Sequence, residues 1–161
     1  MFSLTESLAG SFKRNQRIIE MQTDGLSHAD SLLQPPFRGN CMNWVLGHIL
    51  TSRNGVLKNL GAPPVLSESE GTRYRKDSDP ITCDEEALPF EKLLGGLKRS
   101  HEAISKALAE ASKETMATTI QAGRGETSVG EWVVFLHWHE TYHVGQLELL
   151  RQLAGKNDAV I

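Results

Sequence analysis

The sequence predicts an all-α protein, a four-helix bundle with a long crossover loop, and three observations carry that expectation. Four segments of the 161-residue chain place apolar residues at three- and four-residue spacing. Cap residues or Gly and Pro punctuation bound each of them. No segment alternates apolar and polar residues clearly enough to read as a half-buried strand. Four helices joined by one long connection and two shorter breaks are the material of a bundle.

The first helix is expected from about Ser3 to Leu26, with Leu4, Leu8, Phe12, Ile18, Ile19 and Leu26 as its apolar positions. Gly25 and the run into Gln34-Pro35-Pro36 end it or split off a short second piece. The second helix is expected to start at Asn40, a favourable N-cap residue, and to run to about Leu60. Gly61 and Pro63-Pro64 stop it, because glycine accepts a left-handed cap and proline cannot continue a helix. Residues 62–81 form a polar connection, long enough to be a flap over a site or a plain linker. The third helix runs from about Leu88 to Ser112, with Pro89 at a position that tolerates proline and Leu93, Leu94, Leu97, Ile104, Ala107 and Leu108 as its stripe. Gly95-Gly96 weakens it or admits another backbone. TTIQAGRGETS then reads as a break, a short extended piece with a turn. Ser128-Val129-Gly130-Glu131 is a capping box, and the fourth helix continues from it to about Ala154, with Gly155 as the stop.

The length suits one domain, 1–161, able to bury a core without disulfide or metal staples. A net charge of −3 argues against a nucleic-acid partner, which calls for a basic face. No apolar run approaches the ~20 residues that cross a bilayer, so no membrane partner is expected. The N-terminal residues lack a basic leader before an apolar stretch, which favours a cytoplasmic location. Cys41 and Cys83 are then expected to be free thiols.

Chemistry concentrates in HWHETYHVGQLELLR, residues 137–151. His139 and His143 lie one helical turn apart and point the same way, as two ligands of one metal ion must. They share a stripe with Trp132, Leu136, Leu147 and Leu150, so they face the core, where bare imidazoles are costly and a metal would satisfy both. A third ligand is needed, and His48, in the apolar stretch NWVLGHIL, is the candidate. Gly47 beside it would let a neighbouring helix come close. Read alone, His48 is better explained by a bond to a backbone carbonyl; read together with His139 and His143, the metal reading gains. His28 reads as a solvated loop residue and His101 as a surface one. His137 points away from the pair, toward a subunit interface if toward anything. Glu140 completes an H-E-x-x-H pattern, in which glutamate can activate water. It is the candidate catalytic residue, with three roles open: an acceptor behind a ligand, an acid/base, or a surface residue.

Asn43-Trp44-Val45-Leu46-Gly47-His48-Ile49 together with His139 through Arg151 resembles the motifs of the DinB-like (DinB/YfiT) superfamily, and helix order and length extend the resemblance to essentially the whole chain. It implies a four-helix bundle in which His48, His139 and His143 hold one divalent metal, with nickel and zinc the metals associated with such folds. It also implies a homodimer and, from some relatives, transfer of a low-molecular-weight thiol or isomerisation. An ion on three neutral imidazoles keeps its charge and open positions, and would acidify a bound thiol or water. The sequence therefore suggests a metal-dependent thiol S-transferase acting on small electrophiles. The alternatives are a metal-dependent hydrolase, or a stress-associated metal-binding protein without catalysis. Asn43 and Trp44 could line the pocket, although core packing also accounts for Trp44. Tyr142 could donate to a bound ligand. Gln146 and Arg151 match the motif but also suit capping and surface pairing.

Overall fold

Long helices form where an apolar stripe meets a defined start, and the computed structural model, which describes residues 3–123 and 125–158, shows this four times. In chain order the elements are α1 (Leu4–Thr23), α2 (His28–Ser31), α3 (Met42–Asn59), α4 (Glu68–Thr72), a 3-10 turn (Asp84–Glu86), α5 (Phe90–Glu110), α6 (Lys113–Ala117), β1 (Thr119–Ala122), β2 (Gly125–Ser128) and α7 (Val129–Leu153). The expected capping box opens α7: Ser128 Oγ accepts the Glu131 N–H at 3.2 Å, and the glutamate accepts the Ser128 N–H at 3.1 Å. Ser3, Ser27 and Ser67 open α1, α2 and α4 in the same way.

Two expectations are corrected. The N-cap of α3 is Cys41, not Asn40, and its side chain makes no capping bond. Every residue from Met42 to Leu50 is buried, so packing rather than a polar cap fixes that start. A strand pair is also present. β1 and β2 form an antiparallel hairpin from Thr119↔Ser128 to Ala122↔Gly125. Its strands are only four residues long and mostly polar, too short for alternation to stand out, although Ile120 of β1 packs against the apolar interior. The hairpin feeds directly into α7, with Val129 N–H donating to the Thr118 carbonyl at 2.9 Å.

Each of α1 and α3 packs against both α5 and α7, which puts α1 opposite α3 and α5 opposite α7. Asn43, at the start of α3, donates to the Leu88 carbonyl just ahead of α5. Arg151, at the end of α7, donates to the Gln22 and Asp24 carbonyls at the end of α1. Neighbours α3 and α5 are therefore parallel, as are α1 and α7. The connection between α3 and α5 must run back along the bundle, which is the physical reason for its length. It lies along α3, pinned by Tyr74, whose side chain is fully buried. The Tyr74 ring occupies the space over Gly47, where a Cβ would stand 2.1 Å from Cδ1. The close approach at Gly47 is thus made by this ring rather than by a helix. Tyr74 Oη donates to Asn43 Oδ1 at 2.9 Å and accepts the Leu88 N–H at 2.7 Å.

The apolar interior has two compartments. One gathers Ile19, Leu46, Leu50, Leu93, Leu97, Val144 and Leu147; the other gathers Leu8, Phe12, Val56, Leu57, Ile104, Leu108 and Val133. Between them each long helix contributes a buried polar residue at the same height: Gln16 from α1, Arg53 from α3, Ser100 from α5 and Glu140 from α7. Cys41 is buried and Cys83 exposed, both as free thiols. Among the described residues no helix is long and apolar enough to cross a membrane.

Candidate metal centre

Antiparallel packing of α3 on α7 brings His48 against the His139–His143 pair. One ligand atom from each lies within 4.8 Å of the others. His139 Nε2 stands 3.4 Å from His48 Nε2 and 3.2 Å from His143 Nε2. Nitrogens about 2.1 Å from a shared ion stand about 3.0 Å apart in octahedral geometry and about 3.4 Å apart in tetrahedral geometry. The two separations from His139 Nε2 fall in that range, and the third is no more than 4.8 Å.

The outer nitrogens decide what the inner ones can do. His48 Nδ1 lies 2.6 Å from the Tyr74 carbonyl oxygen, which can only accept, so Nδ1 carries the proton and Nε2 presents a lone pair. His143 Nδ1 lies 2.7 Å from Gln146 Oε1 and is fixed in the same tautomer. Two lone pairs therefore face His139 Nε2, which has at most one proton to offer. A cation satisfies all three nitrogens, whereas no arrangement of neutral rings does. His139 Nδ1 is buried without a partner among the described residues. Burial depresses the basicity of all three rings, His143 down to a pKa of about 4, and for His139 the neighbouring His48 adds to the effect. The rings are thus neutral, the form that ligates.

The surroundings hold the three rings in place. Trp44 stacks on His48 with centroids 4.7 Å apart and rings inclined by 12°, and its indole N–H donates to Ser78 Oγ at 2.9 Å. Asn43 is fully buried and spent on Tyr74 and Leu88. Phe135 lies beside His139 and Tyr142 beside His143, both largely exposed. Gln146 is a hydrogen-bond partner of His143 rather than a cap, and Arg151 ties the end of α7 to α1 and pairs with Asp158.

Glu140 is not a surface residue: it is 1% exposed. Its Oε2 accepts from Arg53 Nε at 2.9 Å and its Oε1 from the second guanidinium nitrogen at 2.8 Å. Asn15 donates to Oε1 at 3.3 Å. The other histidines lie elsewhere. His28 is half-buried, bonded to Asp84 at 2.5 Å and accepting the Phe90 N–H at 3.1 Å, so it joins three segments instead of lying free in solvent. His101 is half-buried rather than on the surface, and burial lowers its pKa. His137 packs edge-on against Phe12 of its own chain, with centroids 4.9 Å apart. Sequence reasoning passed over Arg53, Gln16, Asn15, Ser100 and Tyr74. The available signal was a polar residue interrupting the stripe of each helix at one height.

A comparison with curated proteins finds no match. Among solved structures, a conserved protein from Enterococcus faecalis is similar at 17% identity, covering 96% of this chain and 98% of its own, with a TM-score of 0.72. Likeness at that identity speaks to the fold. The family model of the DinB superfamily matches residues 11–147, a stretch that carries α3, α5, the crossover and all three clustered histidines. With most of its length matched and its helices arranged as described, the chain belongs to the DinB superfamily.

Proposed function

We propose that the chain is a metal-dependent enzyme in which Nε2 of His48, His139 and His143 holds one divalent ion, nickel or zinc, and that it transfers a small thiol to an electrophilic co-substrate. The observation that carries the reading is the pair of fixed tautomers, which aim two lone pairs at a third nitrogen with no hydrogen-bonding solution among the three. When bound, such an ion supplies Lewis acidity and lowers the pKa of a thiol or water that it holds. The three neutral rings add no charge to oppose that effect. In the transfer, the thiol gives its proton to the buffer and its sulfur bonds to the electrophilic carbon. The leaving group departs with the electron pair. Glu140 is spent on Arg53 and Asn15 in the core, so it is not read as touching the reacting atoms.

The test begins with metal analysis of untagged protein. One equivalent of a divalent ion is expected, and His48→Ala is expected to lose it. The metallated protein is then offered small thiols with electrophiles, and any turnover must vanish with EDTA and return with the metal. Metal-independent turnover would refute the mechanism. Bound ligand without product would identify a metal-binding protein that does not catalyse, and water as the only accepted nucleophile would identify a hydrolase.

A further inference from the structure

Arg53 is fully buried, and its guanidinium reaches every long helix. It pairs with Glu140 on α7, donates to Gln16 Oε1 on α1 at 2.8 Å, and donates to the Leu97 carbonyl and Ser100 Oγ on α5 at 2.9 and 3.2 Å. Glu140 directly follows the ligand His139, and Arg53 lies on the helix that carries His48. A buried ion pair is a poor source of stability, because an apolar pair of similar volume does as well or better. Its best-attested use is to select one register over others. In a helix bundle the apolar layers above and below tolerate small rotations and slides, whereas a two-pronged guanidinium–carboxylate pair does not.

We propose that the Arg53–Glu140 pair is the positioning element of the metal centre: it locks the rotation and height of α7 against α3, and so sets the distance of His139 and His143 from His48. The inference rests on the metal reading above. One residue of rotation on an α-helix turns a side chain by about 100°, so a small loss of register separates the ligands. The pair acts through the ligands and is not itself a ligand. Gln16 and Ser100 complete the lock by satisfying the guanidinium nitrogen that faces away from Glu140.

The experiment compares wild type with the double variant Arg53→Met/Glu140→Leu, which replaces the pair by apolar groups of similar size, and with Glu140→Gln, which keeps volume and hydrogen bonding but removes the charge. Cobalt(II) is the probe, because its visible bands report coordination geometry. The proposal expects the double variant to stay helical and cooperative while cobalt binds about 10- to 100-fold more weakly, the range for lost support behind a ligand, with altered bands. Glu140→Gln is expected to fall between it and wild type. Wild-type affinity and bands in whichever of the two variants folds would overturn the proposal and leave a merely structural pair. Failure of the wild-type chain to bind cobalt, nickel or zinc would instead overturn the metal reading, and the proposal with it.

Discussion

At Gly47 a single missing side chain serves both packing and chemistry. The Tyr74 ring fills the space a Cβ would need, and the Tyr74 carbonyl holds the proton of His48 Nδ1. Gly47→Ala is therefore expected to push the ring outward. The overpacking should cost about 1–3 kcal/mol in urea denaturation, and metal affinity should fall with it, because His48 loses the acceptor that fixes its tautomer. Unchanged denaturation and unchanged affinity would show that the ring moves aside freely. The three clustered histidines were legible in the sequence because helical spacing and apolar neighbours are local signals. Tyr74 was not, since it comes from an irregular segment with no periodicity. Arg53 was hidden for another reason: a cation at mid-helix reads as a surface residue unless its partner is known to be across the core.

Among the elements, α7 was the most readable, from its capping box to its stop, whereas the N-cap of α3 was misplaced by one residue, since a helix start buried on all sides offers neither a stripe nor a polar cap. The hairpin was legible only as a short extended piece with a turn, because four-residue strands are too short for alternation to stand out. The outer face of α7 carries a further consequence. Phe135, Trp138, Tyr142 and Leu149 lie exposed at spacings of three, four and seven, with Gly145 open to solvent between the last two. That is the seam of a helix pair, and we propose that two copies of the chain meet there as a homodimer. Trp138→Glu is expected to convert a dimer peak to a monomer peak in size exclusion with little change in helicity. A wild-type chain eluting as a monomer at high concentration would refute the seam.

For the whole molecule, the half-buried and buried histidines link stability to pH. Burial lowers the pKa of His48, His101, His137, His139 and His143, the last to about 4. The unfolded chain, with imidazoles near about 6.5, then binds more protons than the folded one below that pH. The contribution of these rings to the stability of the metal-free protein is thus full above about pH 6.5 and declines as the pH falls toward about 4. Urea midpoints of EDTA-treated protein are expected to be lower at about pH 5 than at about pH 7.5, and equal midpoints would contradict the depressed values. The all-helical class and the long crossover could be read from the sequence. Which helices are neighbours could not, because a stripe records that a face is buried and not what buries it.

The parallel pairing of α1 with α7 has a consequence during synthesis. A nascent chain that has released α1 through α5 holds His48 but neither of its companions, and its Arg53 has no carboxylate to receive it. An unpaired cation is costly to enclose, so a closed three-helix form is disfavoured. Core closure should therefore come only once α7 has left the ribosome.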